Sequence, residues 1–230
     1  MADVTAAISR NGFGLLRELA ENNNREWYHA HKAAFEEQVL APFASILELA
    51  TERLAETPLP WQGGRDTMFR MNRDVRFSKD KSPYKTEVSG LLTPDGTKQH
   101  AGPIVYVACS DDGGMLAIGI YKPLSDTLDS IRTAIARDPS EPLRIQTRLT
   151  SRDRTIESSD VLKRIPRGYE DMKDHKVAEL LRMKDMLVID RPTKTDWQRG
   201  RIPERVERLA TDSAELVAFL SSGASERSKT

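Results

Sequence analysis

Ile104-Val105-Tyr106-Val107-Ala108-Cys109-Ser110-Asp111-Asp112-Gly113-Gly114-Met115-Leu116-Ala117-Ile118-Gly119-Ile120-Tyr121 decides the fold. Its first six residues are rich in β-branched side chains and read as a buried strand. Ser110 to Gly114 is a hairpin-type loop, and residues 115–121 return antiparallel to the first run. The Asp111-Asp112 pair is read as turn chemistry rather than a metal site. Cys109, the single cysteine, cannot close an internal disulfide. It reads as a small buried hydrophobe of a reducing compartment, not a catalytic thiol.

Upstream, residues 86–92 read as a second strand, stopped by Pro94-Asp95-Gly96, where Pro fixes φ and Gly accepts a positive one. Residues 67–71 are expected to form a short strand, with Met68 and Arg70 on one face and Phe69 and Met71 on the other. Between these strands lies the most charged stretch of the chain. Six bases (Arg70, Arg73, Arg76, Lys79, Lys81, Lys85) stand among three acids, Asp74, Asp80 and Glu87. The stretch has no helical stripe, and Ser82-Pro83 disfavours helix, so it reads as a loop or strand edge. Guanidinium forks, ammonium groups, the Tyr84 hydroxyl and the hydroxyls of Ser78, Ser82 and Thr86 are groups that hold phosphate or carboxylate. Asp74 and Asp80 would orient the bases or bind a cation. The competing reading is a self-neutralising surface, whose exposed pairs contribute only about 0–1 kcal/mol each.

Toward the N-terminus, Phe13, Leu15, Leu16 and Leu19 mark a helix over residues 11–21. Asn22-Asn23-Asn24 breaks it, and Asn23 with Glu26 resembles a capping box for the next helix. That helix carries Trp27, His31, Ala34, Phe35 and Val39 on one stripe. Ala41-Pro42 is expected to interrupt it and start a third helix on Phe43, Ile46, Leu47, Ala50 and Leu54. Asn22, Asn23, Arg25, Trp27 and His31 are candidates for a pocket; the plainer reading is a cap and a core tryptophan. His29 and His31 are two apart and do not form a metal pair on a helix.

Downstream, residues 124–138 read as a helix capped by Ser125, with Leu128, Ile131 and Ile135 inward. Residues 141–150 are expected to form another, and Ile156 to lie in a short strand. Residues 174–184 read as a helix, 186–189 as a last strand, and 203–220 as a closing helix. Residues 222–230 are polar and expected to be a disordered tail beyond a single domain of residues 1–221. His175 is the weak candidate for an acid or base; Arg167, Tyr169 and Lys184 accompany it. A lone histidine beside an acid is more often a helix-start hydrogen-bonding residue.

The 230 residues carry 35 basic and 35 acidic side chains, a formal net charge of zero. That argues against a nucleic-acid partner, whose binding domains are typically basic with a pI above about 9. No apolar run approaches the roughly 20 residues of a membrane span, and the first residues lack a signal-peptide pattern. A cytoplasmic protein is the expectation. No Walker loop, dinucleotide fingerprint, nucleophile elbow, zinc spacing or repeat occurs.

The stretch Arg73-Asp74-Val75-Arg76-Phe77-Ser78-Lys79-Asp80-Lys81-Ser82-Pro83-Tyr84-Lys85-Thr86 resembles the signature of the uncharacterised proteins grouped as domain of unknown function 2461. Asn22-Asn23-Asn24-Arg25-Glu26-Trp27 is similar to that family's early Asn-Asn-x-Arg-x-Trp motif. Pro166-Arg167-Gly168-Tyr169 with Asp174-His175 resembles its Pro-x-Gly-Tyr and Asp-His motif, and residues 102–123 its glycine-containing hairpin. Here Ile104-Val105-Tyr106 and Ile118-Gly119-Ile120 stand where more Gly and Tyr are expected. The resemblance spans residues 12–220 and implies a shared fold and site, but no activity.

The expected architecture is therefore α+β, a mainly antiparallel sheet covered by N-terminal and C-terminal helices, with a mixed α/β sheet as the alternative. The expected function is binding, with or without transformation, of a small anion such as a phosphorylated metabolite or nucleotide. Its ligand-binding candidates are Arg73, Asp74, Arg76, Lys79, Lys81, Tyr84, Lys85 and Tyr169, with no metal. An interaction module and a nucleic-acid accessory with Phe77 or Tyr84 stacking on bases are the alternatives. The sequence names no reaction, cofactor or oligomeric state.

Overall fold

The computed structural model of the chain describes residues 6–225. Strands Glu87–Leu92 (β1), Ile104–Ser110 (β2), Met115–Ile120 (β3) and Met186–Asp190 (β4) form one antiparallel sheet in that order, and helices complete an α+β fold. In the β1–β2 ladder Glu87 faces Ser110 and Leu92 faces Val105. The β2–β3 hairpin closes through Gly113 and Gly114, at φ +120° and +87°. These are backbone conformations that side chains other than glycine's rarely adopt. The Asp112 carboxylate accepts from Ser110 and from the Gly114 N–H, the turn chemistry expected of it. Cys109 is buried, and burial pushes its thiol pKa well above the ordinary value.

The residues gather into two compact units, each built from separated stretches. The first holds residues 6–98 with Val105–Leu116 and Asp190–Arg208. Helix α1 (Arg10–Glu21) starts where Ser9 accepts the Gly12 N–H, and buries Phe13, Leu16 and Leu19. Helix α2 (Arg25–Phe35) runs without a break through a π turn, Glu36–Leu40, into α3 (Ala41–Leu54). Pro42 was expected to interrupt the chain here. It has no N–H for the carbonyl four residues back, and the local widening to i→i−5 bonds, such as Ala41 N–H to Glu36, carries the helix past it.

Helix α3 buries Phe43, Ile46, Leu47, Ala50 and Leu54 and packs on β1. The contact depends on Gly90, because a Cβ there would lie 2.7 Å from Leu47 Cδ1. A short helix absent from the sequence reading, α7 (Lys194–Gln198), begins in a capping box made by Thr193 and Asp196. Its Trp197 is fully buried and stacks on Phe43, ring centroids 6.1 Å apart.

The second unit holds Gln99–Ile104, Ala117–Ile189 and the residues from Leu209 onward. Helix α4 (Ser125–Arg137) buries Ile131 and Ile135 as expected, and Arg132 as well. Ser125 is its first residue rather than its cap. Helix α5 (Ser140–Thr150) follows. The helix expected over residues 174–184 shrinks to α6 (Ala178–Arg182) after a 3₁₀ turn, Glu170–Met172. At its C-terminal end the Arg132 guanidinium donates to the carbonyls of Leu181 and Met183, at 3.0 and 3.2 Å. Residues 156 and 157 contribute an isolated bridge, Glu157 to Leu187, rather than a strand.

The closing helix, α8, spans Ile202–Ser225 and so continues past Leu220. Of the tail expected over residues 222–230, residues 222–225 are therefore helical, and 226–230 lie outside the described residues. Among the described residues no helix is long and apolar enough to cross a membrane.

Candidate functional site

The three asparagines between α1 and α2 do three different jobs. Asn22 donates its side-chain N–H to the Glu18 carbonyl and finishes α1. Asn24, not Asn23, is the N-cap of α2, accepting the Trp27 N–H at 2.9 Å. Asn23 is thereby left to pair with Tyr84: Nδ2 donates to the Tyr84 carbonyl at 2.9 Å and Oδ1 accepts its N–H at 3.0 Å.

Asn23 thus pins the C-terminal end of the charged stretch beside α2. The same end is held by an Asn72–Tyr84 bridge and by bonds from Arg73 N–H to Pro83 O and from Lys85 N–H to Met71 O. The expected strand over residues 67–71 does not form. Met68 bridges Gly90 and Phe69 N–H reaches Ser89, but by Met71 the partner has changed, so no ladder builds up. Met68 and Met71 are buried and Arg70 exposed, which breaks the expected two-face alternation.

Tyr84 is buried, and its ring stacks on Tyr28 of α2 with centroids 4.0 Å apart. Around this pair opens a pocket of about 390 Å³, lined by Arg25, Tyr28, His29, Lys32, Asn72 and Tyr84. Residues 25, 28, 29 and 32 are the i, i+3, i+4, i+7 positions of one helix face. No acidic residue lines the pocket. Among the described residues Arg25, His29 and Lys32 have neither an ion-pair nor a hydrogen-bond partner for their side chains. Glu36 acts on Tyr28 from nearby, but its carboxylate is held by Arg65 at 2.7 Å. Burial, then Tyr84 and Glu36, raises the Tyr28 pKa, so its hydroxyl stays protonated.

Of the early pocket candidates, only Arg25 lines this cavity. Trp27 and His31 sit on the neighbouring face of α2, stacked on each other at 4.1 Å, and Trp27 is half-buried rather than in the core. Tyr28, His29, Lys32 and Asn72 were missed. The signal for three of them was their spacing from Arg25 along α2.

Within the charged loop most of the charge is matched locally. Arg76 grips Asp74 through Nε and Nη2, the latter at 2.7 Å. Arg73 pairs with Asp80 and reaches the Ser82 carbonyl. Lys81 Nζ donates to the Val75 carbonyl at 3.0 Å, and Lys85 lies 4.8 Å over the Phe69 ring. The Ser82 hydroxyl and N–H, then Arg73, hold the Asp80 pKa well below the usual carboxylate range. Hydrogen bonds from Arg76 lower that of Asp74. Burial lowers the Lys85 pKa, opposed by Glu87. Lys79 is exposed and has no ion-pair partner among the described residues.

In the second unit, the Tyr169 hydroxyl lies 3.2 Å from Thr133 Oγ1. His175 Nδ1 accepts the Val177 N–H at 3.3 Å, a turn-forming bond at the approach to α6. Lys184 pairs with Asp160 at 2.7 Å. Among the described residues no group of three or more His, Cys, Asp or Glu converges as metal ligands would.

No curated protein and no solved structure matches the chain. A family model described as a conserved hypothetical protein, DUF2461, matches residues 11–219. That span takes in both the asparagine run and the charged loop that Asn23 fastens together, and the chain belongs to the DUF2461 family.

Proposed function

We propose that the protein binds a small anion, a phosphorylated metabolite or nucleotide, in the pocket between α2 and the end of the charged loop. The supporting observation is that Arg25, His29 and Lys32 line one cavity without an acidic partner. Unpaired cations facing a shared concavity are arranged to be neutralised by a ligand. The hydroxyls of Tyr28 and Tyr84 and the Asn72 amide add donors for phosphate oxygens. Two of the lining residues are sequence candidates, Tyr84 from the charged stretch and Arg25 from the asparagine motif. Arg73 and Arg76 have their charge taken up by Asp80 and Asp74 and serve to shape the loop, and Lys79, Lys81 and Lys85 add positive potential.

Titration calorimetry with inorganic phosphate, a sugar phosphate and a nucleoside monophosphate tests this reading. Arg25→Ala or Lys32→Ala is expected to weaken binding by about 10- to 100-fold, the effect of one charge-assisted hydrogen bond. The Arg73→Ala/Arg76→Ala double variant is expected to bind normally. Binding that follows Arg73 and Arg76 instead, or no saturable binding of any probe, sinks the pocket assignment.

A second reading, an interaction module, is favoured by Phe77. It is 96% exposed, with the Arg76 guanidinium 5.9 Å from its ring centroid. An aromatic and an arginine together at a surface are typical of interface anchors. Under that reading Phe77→Ala loses a partner protein in a pull-down and leaves phosphate binding intact.

A further inference from the structure

The second unit has a cavity of its own, about 610 Å³, on residues that play no part in the anion pocket. Its volume is within the range of small-molecule sites, roughly 300–1,000 Å³. Three features constrain what it accepts. Its apolar lining is Leu143 of α5, Ile156 and Met183, of which Ile156 and Met183 are buried and form its deeper part. One side carries two opposite charges, Lys176 and Glu179, both exposed. Among the described residues neither has an ion-pair or hydrogen-bond partner for its side chain, although they stand only three positions apart.

The third feature is the rim. Thr147 and Thr150 line the cavity from α5, and each already donates its hydroxyl hydrogen backward along the helix. Thr147 gives it to the Leu143 carbonyl and Thr150 to the Gln146 carbonyl, both at 2.9 Å. With its hydrogen so committed, each hydroxyl oxygen is left as an acceptor. These two acceptors beside one carboxylate suit a ligand with N–H donors, and Gln146 and Thr155, which complete the lining, can donate or accept. The lysine suits a carboxylate, and the apolar lining suits an aliphatic side chain.

We infer that this cavity binds a small zwitterion with an apolar side chain, an amino acid or dipeptide. Its ammonium faces Glu179 and the threonine oxygens, its carboxylate faces Lys176, and its side chain rests on Leu143, Ile156 and Met183. A phosphorylated ligand is disfavoured here, because Lys176 is the cavity's one cation and Glu179 opposes an added anion.

Titration calorimetry of the full chain with leucine and leucyl-leucine tests the inference. Each is compared with its N-acetyl derivative, which lacks the ammonium, and its C-terminal amide, which lacks the carboxylate. Saturable binding at millimolar concentration or below is expected for at least one parent compound, weakened about tenfold or more by either modification. Glu179→Gln and Lys176→Met are expected to weaken the parent compound, whereas Arg25→Ala in the other unit is expected to leave it unchanged. Both variant positions are exposed, and unchanged far-ultraviolet circular dichroism checks their fold. No saturable binding of either parent, equal affinity for the blocked derivatives, or indifference to both variants would overturn the assignment. None of these results bears on phosphate binding at Arg25 and Lys32.

Discussion

Asn23 and Tyr84, 61 residues apart, pair as two strand residues would, except that one partner is a side chain: the Asn23 amide takes both the N–H and the C=O of Tyr84. A backbone position in a loop needs its polar groups satisfied, and here one side chain satisfies both. The consequence is positional. The Tyr84 backbone is held beside α2, where its ring stacks on Tyr28. Asn23→Ala leaves both groups without this partner. It is expected to cost about 1–3 kcal/mol in urea unfolding and to weaken binding at Arg25 and Lys32. Asn23→Asp keeps the acceptor for the Tyr84 N–H but sets an oxygen against its carbonyl, so it should be no better than Ala. A variant as stable as the parent would mean that the loop is held elsewhere.

Gly90 sets how closely α3 approaches β1. A methyl group there meets Leu47 Cδ1 at 2.7 Å, and Phe43 Cε1 at 3.4 Å. Both neighbours are fully buried and have little room to yield. Gly90→Ala is expected to destabilise by about 1–3 kcal/mol, the usual range for an overpacked core, and Gly90→Val by more. Leu47→Ala opens space at the same point. The double variant with Gly90→Ala should therefore be more stable than the sum of the two single costs predicts. Strict additivity would place the strain elsewhere.

The β2–β3 hairpin was legible because a β-branched run and an apolar run flank a glycine pair, and α5, β4 and α8 because their apolar periodicity is local. At Pro42 the sequence misled for a local reason, the π turn before it, but elsewhere the cause lies far along the chain. Residues 174–184 carry a helical stripe, yet the carbonyls at the helix's C-terminal end bond to Arg132, about 50 residues away. Residues 67–71 alternate like a strand, yet their hydrogen bonds are divided between β1 and the segment around Tyr84. The N-cap was placed one residue early because any of three consecutive asparagines fits a cap, and only the demand of Tyr84 on Asn23 selects Asn24. Helix α7 had a readable signal in Thr193 and Asp196, too short to show a period. The charged loop stood out by composition, but which bases keep a free charge depends on pairing, and composition does not reveal that.

Acid should unfold the protein from a definable pH. Asp196 is held below its ordinary 3.8 chiefly by the Thr193 hydroxyl, Asp112 chiefly by Ser110, and Asp80 chiefly by Ser82. Each folded pKa is depressed, so the unfolded chain takes up protons first as the pH falls. The stability these groups give is present above 3.8 and is lost progressively below it. On the alkaline side the sign reverses. Burial raises Cys109 from 9.0 and Tyr28 from 10.0, so the unfolded chain releases protons first and stability falls above pH 9. Lys85, lowered from 10.5 by burial, opposes this in part. Urea midpoints measured from pH 3 to 10 should trace a plateau with both shoulders. A midpoint unchanged down to pH 3 would mean that these carboxylates titrate normally.

Arg132 supplies the last prediction. The residue is 7% exposed on α4. Its Nε and Nη2 donate to the carbonyls of Leu181 and Met183, and its charge is faced by Asp129 at 3.6 Å. Two donors in a fixed plane meet two carbonyls two residues apart, a geometry that lysine's single ammonium does not reproduce. Arg132→Met fills a similar volume without donors and leaves both carbonyls without this partner, at an expected cost of about 1–3 kcal/mol. Arg132→Lys restores the charge but not the fork, and is expected to recover less than half of that loss. The local readout is amide hydrogen exchange. Protection should fall first in α6 and the start of β4, where the chain leaves helix at Met183, while α3 and β1 keep theirs. Uniform loss of protection along the chain would make Arg132 a packing residue alone. Selective loss in α6 would establish it as the group that stops the helix and turns the chain into the last strand.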